Sequence, residues 1–348
     1  NKCFLIILLI LTVSCTKETY VWYNGSFSDA LSEISSDQGK ILFLDFFSEN
    51  WGACVRLDAE TLSNNEVISF SKENFLSLKL KPWSNRKHSE LFDTMKGTGL
   101  PLLVYLNNNG EEIDRILGYL PPDQYLSRIK DIYNGVNTFL ALKNKFNGGS
   151  RNINVLSMLA QKCKSYKESK VCDDVYSYVY NNKTNFSTET TFTAELIYGK
   201  KQLEETGDTS FLINLKENYN DIEKQKMIYT TLINFYQNNG DLKKESDIYK
   251  KYSDVFSSDI NVLNAYAWRM TEIESNLEDA LDKSIMAIKL SSNNEEKANI
   301  IDTKAEVLWL LNRYDDAITT INLAIEINPE SDYFKGQRTK FQNSKNQE

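Results

Sequence analysis

The apolar periodicity of this 348-residue chain changes once, near residue 135, and the change separates two kinds of structure. Before it, apolar residues come in short runs: ILFLDFF at 41–47, FLSLKL at 75–80, PLLVYL at 101–106 and IDRILG at 113–118. Runs of this length read as strands, and an unbroken one such as 41–47 reads as a central strand buried on both faces. Between them Phe27, Ala30, Leu31 and Ile34 share one helical face. A second helix is expected over 50–70, broken around Ser63-Asn64-Asn65, and a closing helix over 123–133 after Pro121-Pro122. Asn107-Asn108-Asn109-Gly110 marks the turn of a hairpin. Strands separated by helices, ending in a hairpin and a helix, make an α/β sandwich. After residue 135 apolar positions recur three and four apart almost to the end, which reads as an all-helical half.

Hydrophobic residues make up 41% and charged residues 25%, the balance of an ordinary globular protein. A net charge of −8 gives no broad electrostatic reason to bind nucleic acid. The single histidine, His88, excludes a multi-histidine metal site and argues against a Ser-His-Asp triad. Its setting, Asn85-Arg86-Lys87-His88-Ser89, reads as a solvated loop. The helical half shows no metal cluster, phosphate-binding glycine loop or paired catalytic carboxylates, so no cofactor and no metal are expected.

The run FLIILLILTV at 4–13, preceded by Lys2, is too short to span a bilayer, which takes roughly 20 apolar residues. It suits the apolar region of a secretory signal; the competing reading is a short buried helix. The run ends in Leu11-Thr12-Val13-Ser14-Cys15, which resembles a bacterial lipobox, with Thr12 where an aliphatic residue is usual. That resemblance implies a signal peptide over 1–14, a lipid on Cys15, a tether over 15–25 and attachment in the bacterial cell envelope. Thr16, with no acidic residue beside it, favours the outer membrane facing the periplasm. Removal of Cys3 with the leader leaves Cys54, Cys163 and Cys172 in an oxidising compartment. The segment between Cys163 and Cys172 is polar enough for a helix–helix turn, so these two either brace antiparallel helices as a disulfide or remain free thiols.

Residues 26–134 resemble the thioredoxin superfamily, especially its envelope branch. ILFLDFF looks like that family's central strand with its buried acid at Asp45, and CVRLDAETL at 54–62 like the end of the redox motif and the helix after it. Gly99-Leu100-Pro101 looks like the segment holding the family's cis-proline, and Gly118-Tyr119-Leu120-Pro121 like the turn before the last helix. The family's Trp-Cys-x-x-Cys is replaced by Asn50-Trp51-Gly52-Ala53-Cys54. Anchored on Asp45 and on Leu57-Asp58, the place of the first cysteine holds Trp51 and the second is Cys54. The first thiol of such a motif attacks because the helix N-terminus lowers its pKa, and the second resolves the mixed disulfide. Trp51 cannot attack sulfur, so ordinary dithiol exchange is not expected. Cys54 is then either an inert buried thiol or a single site thiol that forms mixed disulfides.

Within 227–345 the chain resembles the tetratricopeptide repeat, a helix-turn-helix unit of about 34 residues. Ala305, Tyr314, Ala317, Ala324 and Pro329 fall at its small, aromatic and proline places, with Trp268, Ala280 and Ala287 in an upstream copy. A third, degenerate copy turns at Gly240-Asp241 and has Glu245 and Tyr252 where small residues belong. Residues 135–226 are helical by period, candidate divergent repeats without a placed motif. The resemblance implies a curved solenoid whose concave face binds peptides or protein segments. The resulting expectation is a non-catalytic envelope lipoprotein, chaperone-like or scaffolding, with protein or peptide clients. Assembly support for an envelope machine is a further form of it. The competing expectation is a thiol-disulfide oxidoreductase acting through Cys54.

Overall fold

The computed structural model describes residues 19–36, 39–166 and 169–347. The apolar run at 4–13, Cys3 and Cys15 lie outside the described residues. The chain divides into two compact units, one ending at Ala194 and the other beginning at Glu195.

The first unit opens with α1 (Phe27–Ser36), β1 (Ile41–Phe46) and α2 (Gly52–Arg56), which runs on as a wider π-type turn over Leu57–Thr61. Next come α3 (Asn65–Asn74), β2 (Phe75–Leu80), α4 (Arg86–Thr94), β3 (Leu102–Leu106), β4 (Glu112–Leu117) and α5 (Pro122–Tyr133). The sheet order is β2-β1-β3-β4, with β1 parallel to β2 and antiparallel to β3, and β3 antiparallel to β4. Every residue of β1 is buried because helices cover both faces. Alternation sorts its side chains. Ile41 and Phe43 face Leu57, Val67, Tyr125 and Ile129, while Leu42, Leu44 and Phe46 face Ala30, Ile34 and Phe92. Asp45 has the parity of Ile41 and Phe43, which sends a carboxylate toward the α2 side.

Three local readings are corrected. His88 lies in α4, not in a loop: the Asn85 side chain accepts the His88 N–H at 3.0 Å and starts the helix. Leu91, Phe92 and Met95 supply its apolar face, and Phe92 meets Phe46 edge-on at 5.4 Å. Pro122 does not merely stop a strand. It occupies the first turn of α5, where its fixed φ and missing N–H cost nothing. Over its second half, the segment read as a tether is docked. Tyr20 and Trp22 pack on Phe43, and the Tyr23 N–H donates to the Ser77 carbonyl at 2.7 Å.

Three more helices complete most of this unit: α6 (Phe139–Asn147), α7 (Ile153–Cys163) and α8 (Lys170–Asn181). α6 packs against the outer strand β4, and the end of α7 reaches it through side chains. Buried Asp114 of β4 accepts from Arg128 of α5 and, at 2.6 Å, from Lys162 of α7. Arg115 pairs with Glu112 at 2.6 Å, donates to the Met95 and Ser165 carbonyls, and lies 4.2 Å over the Tyr166 ring. Tyr166 in turn stacks on Phe139 at 3.7 Å. Thus the α7 end, residues 162–166, grips β4. A disulfide joins Cys163 to Cys172 at a separation of nine residues. Closing a loop of that length removes unfolded-state entropy worth about 2 to 3 kcal/mol. The double substitution Cys163→Ser, Cys172→Ser is therefore expected to lower stability by that amount. Urea unfolding at constant m-value measures it, and an unchanged midpoint would contradict it.

The second unit contains most of α9 (Thr188–Thr206), then α10 (Ser210–Asn218), α11 (Ile222–Asn238), α12 (Leu242–Val255) and α13 (Ile260–Glu272). It ends with α14 (Leu277–Leu290), α15 (Asn294–Leu310), α16 (Tyr314–Ile327) and α17 (Asp332–Lys345). From α11 onward each helix packs on the next in sequence, a stack of helical hairpins. Ala280, Ala287, Ala305, Ala317 and Ala324 are fully buried where helices cross. Glu245 shares this burial although it is charged. Arg269 clamps it with two hydrogen bonds, at 2.6 and 3.1 Å, and Gln237 donates a third at 2.9 Å. Pairing of that completeness is what lets a carboxylate occupy a small-residue place. Tyr252, the other departure, stacks on Tyr229 at 5.3 Å.

Candidate functional site

Leu80, Phe46, Leu102 and Leu117 form one transverse row across the sheet. The segments leaving or entering that row therefore meet at one end of the domain: 47–51 after β1, 81–84 after β2, 99–101 before β3 and 118–119 after β4. An ion pair of 3.0 Å between Lys81 and Glu49 ties the first two together. The third contains a cis Leu100–Pro101 peptide, and the Pro101 carbonyl accepts the Gly118 N–H at 2.8 Å.

Trp51 caps α2 in extended conformation, and its carbonyl accepts the N–H groups of Cys54 and Val55 at 2.9 and 3.1 Å. Its indole is 57% exposed, whereas Cys54, one turn on, is only 2% exposed. Cys54 is the one free cysteine among the described residues. Burial pushes its thiol up, and the Asp45 and Asp58 charges push it the same way against a backbone hydrogen bond from Ser48. A thiol pushed up in this way stays protonated more readily than an exposed cysteine.

Asp45 is 1% exposed and neither carboxyl oxygen has a hydrogen-bond partner. The nearest cation, Lys79 Nζ, stands 3.7 Å away and is drawn off by Asp58 at 2.5 Å. Burial raises the Asp45 carboxyl to about 7, partly offset by Lys79. Lys79 is held in turn over Trp22 at 5.0 Å and Phe47 at 4.5 Å. Sequence reading missed Lys79, Trp22 and Tyr20. The available signal was a lysine inside an apolar strand, which register places directly opposite Asp45. The same reading passed over Trp83, which is 70% exposed at this end of the sheet and meets Phe92 edge-on at 5.8 Å. Val55 and Leu117 are exposed as well. Trp51, Cys54, Asp45 and Pro101 are thus assembled at one end of one domain. Cys163 and Cys172 lie elsewhere, in the α7–α8 pair.

A β-α-β-α-β-β-α order, a mixed sheet, a buried acid under the helix after β1 and a proline entering β3 leave one fold. Residues 27–133 match the family model of the thioredoxin-like domain. Over 111 residues the chain is 25% identical to the thiol:disulfide interchange protein DsbD of Tatumella citrea, covering 31% of this chain and 19% of that one. The chain thus spans about a fifth of the length of this curated relative. Among solved structures, the oxidoreductase DsbH is 21% identical, with 37% of this chain and 94% of that chain covered and a TM-score of 0.29. The TPR2AB-domain:pHSP90 complex of yeast Sti1 is 14% identical, with 63% and 95% covered and a TM-score of 0.30. Among the described residues no helix is long and apolar enough to cross a membrane.

Proposed function

We propose that this chain is a non-catalytic polypeptide-binding protein of the bacterial envelope, using a thioredoxin-like domain without its attacking thiol and a stack of helical hairpins. One observation carries the reading: a tryptophan stands at the helix cap where dithiol exchange needs a low-pKa sulfur, and the remaining thiol is buried with its pKa raised. In place of a nucleophile this end of the sheet presents Trp51, Val55, Trp83 and Leu117 to solvent. Tryptophans left exposed at the loop end of a sheet are apt anchors for a partner chain. The purified full chain is expected to leave insulin disulfides intact in the presence of dithiothreitol. It is expected to hold reduced, carboxymethylated α-lactalbumin in solution. Insulin reduction at the rate of a dithiol thioredoxin overturns the reading.

The alternative, a thiol-disulfide oxidoreductase working through Cys54, draws on Asp45. A carboxyl that titrates near 7 and is coupled to the Cys54 thiol could take its proton. Rapid maleimide labelling of Cys54 in the folded protein at pH 7 favours that alternative. Labelling that awaits denaturant favours the inert thiol.

Envelope placement rests on the apolar run at 4–13 and on Cys15. Cells fed an alkynyl fatty acid are expected to label the chain, and Cys15→Ser is expected to remove the label and release the protein from membranes. Labelling that survives the substitution rejects the anchor.

A further inference from the structure

Arg115 of β4 ties together the ends of two helices. Its guanidinium donates at 2.9 Å to the carbonyl of Met95, which closes α4, and at 3.2 Å to the carbonyl of Ser165, just past the end of α7. A cation suits the unpaired carbonyls of a helix C-terminus. Glu112 takes two further bonds, both of 2.6 Å, and the Tyr166 ring covers the guanidinium face. Arg115 is buried, so each of these partners counts: a buried guanidinium that loses one must find another or move.

Ser165 and Tyr166 lie between Cys163 and Cys172, and the disulfide joins the last residue of α7 to the first turn of α8. The two helices also pack on each other, and the Tyr176 hydroxyl donates to the Ala160 carbonyl at 2.8 Å. Opening the disulfide therefore frees residues 164–166 without parting the helices. On the other side of Arg115, Met95 leads through Lys96, in the left-handed region, to Gly97. A Cβ at Gly97 would overlap the Phe92 ring, and Phe92 meets exposed Trp83. Residues 99–101 follow, and the Pro101 carbonyl holds the Gly118 N–H. A shift at Met95 thus reaches Trp83, Pro101 and Gly118, all at the end of the sheet that presents Trp51.

We propose that the Cys163–Cys172 disulfide is a redox latch for that end of the sheet, acting through Arg115. The proposal rests on the polypeptide-binding reading and gives it a control. Closed, the bond keeps Ser165 and Tyr166 on Arg115, and Arg115 keeps α4 and the 96–101 segment in place. A dithiol opens it in two exchanges. One thiolate of the dithiol attacks one sulfur of the pair, forms a mixed disulfide and expels the other sulfur as a thiolate. The second thiol of the dithiol then displaces the first sulfur. Two electrons and two protons pass to Cys163 and Cys172, and the dithiol leaves as a disulfide. Both cysteines are buried, so access sets the rate. Once open, Arg115 loses the Ser165 carbonyl and the Tyr166 face, Met95 loses its fixed donor, and the surface around Trp83 is no longer held ready for a partner.

The test uses the full chain labelled with nitrogen-15 glycine, before and after dithiothreitol, with mass analysis after alkylation confirming the two new thiols. The amide signals of Gly97, Gly99 and Gly118 are expected to shift or broaden on reduction, and those of Gly240 and Gly336 in the second unit to stay. These signals report the native state, so a fall in global stability alone leaves them in place. Arg115→Lys keeps the charge but not the fork. It is expected to displace the same three signals in the oxidised chain and to leave reduction without further effect on them. Carboxymethylated α-lactalbumin has no thiol or disulfide of its own, and the oxidised chain is expected to bind it at least about fivefold more tightly than the reduced chain. Unmoved signals on reduction of the parent, or equal and measurable binding by its two forms, overturns the latch. Further displacement on reducing Arg115→Lys overturns the route through Arg115. If neither form binds α-lactalbumin, the polypeptide-binding reading falls, and the glycine signals alone decide the latch.

Discussion

Trp51→Cys is expected to create a working dithiol at the start of α2. The substitution sets a second thiol three residues ahead of Cys54, at the start of a helical segment that runs through α2 and the π-type turn to Thr61. Residue 51 is the helix cap and its side chain is exposed, so a thiol there meets the partial positive charge of the helix N-terminus in reach of a substrate. A pKa falling toward about 7 leaves about half the thiol ionised at neutral pH, whereas burial holds the Cys54 thiol up. Residues three apart in a first helical turn have Cα spacings of about 5 Å, inside the range a disulfide bridges. The variant is expected to form an internal disulfide detectable by mass. In the presence of dithiothreitol it should reduce insulin at least about tenfold faster than the parent. Two electrons pass from the dithiol to each insulin disulfide, and dithiothreitol restores the reduced site. A variant that oxidises but reduces insulin no faster than the parent would show that residue 51 is not the nucleophile position. One that cannot oxidise would show that the alignment of Trp51 with the first cysteine is wrong.

Asp45→Asn is expected to stabilise the protein, and only toward higher pH. The carboxyl titrates near 7 in the folded chain and near its ordinary 3.8 when unfolded. Below pH 4 it is protonated in both states and the folded state carries no penalty. Between pH 4 and 7 the unfolded chain loses the proton while the folded chain keeps it, so stability falls by about 1.4 kcal/mol per pH unit. Above pH 7 the loss is complete, on the order of 4 kcal/mol. Asparagine, neutral throughout, removes this dependence. Urea unfolding of parent and variant is expected to show the asparagine advantage growing from pH 4 to pH 8. An advantage independent of pH would mean that Asp45 is ionised in the folded protein near pH 4 and that Lys79 pairs with it more tightly than 3.7 Å implies. A buried acid without a hydrogen bond, such as Asp45, is a cost more often met at functional sites than in purely structural positions.

Much of the fold was legible because its strongest elements carry their own period. The unbroken 41–47 run announced the central strand, and alanines at 280, 287, 305, 317 and 324 announced close helix crossings that the structure buries completely. The asparagine at 64, read as a helix break, is the cap of the next helix, accepting from Glu66 and Val67. Legibility failed where an element is held by its neighbours. Helix α4 has a polar first turn and only a short apolar face, so its sequence alone reads as loop until Phe92 finds Phe46. Tyr20 and Trp22 read as tether because their partner, Phe43, lies more than twenty residues away in sequence.

The opening contrast between two apolar periods therefore determined by itself that a sheet domain precedes a helical one, since period follows from backbone geometry alone. Residue order around Cys54 likewise determined that no second thiol stands within one helical turn. Tertiary structure decided the rest. It set Lys79 beside Asp45 by strand register and buried Cys54 beneath the sheet end. It brought Trp83 to the same end as Trp51 and paired Glu245 with Arg269. Each of these is a contact between residues distant in the chain, and its energy comes from burial and charge in the folded state, which no local pattern encodes.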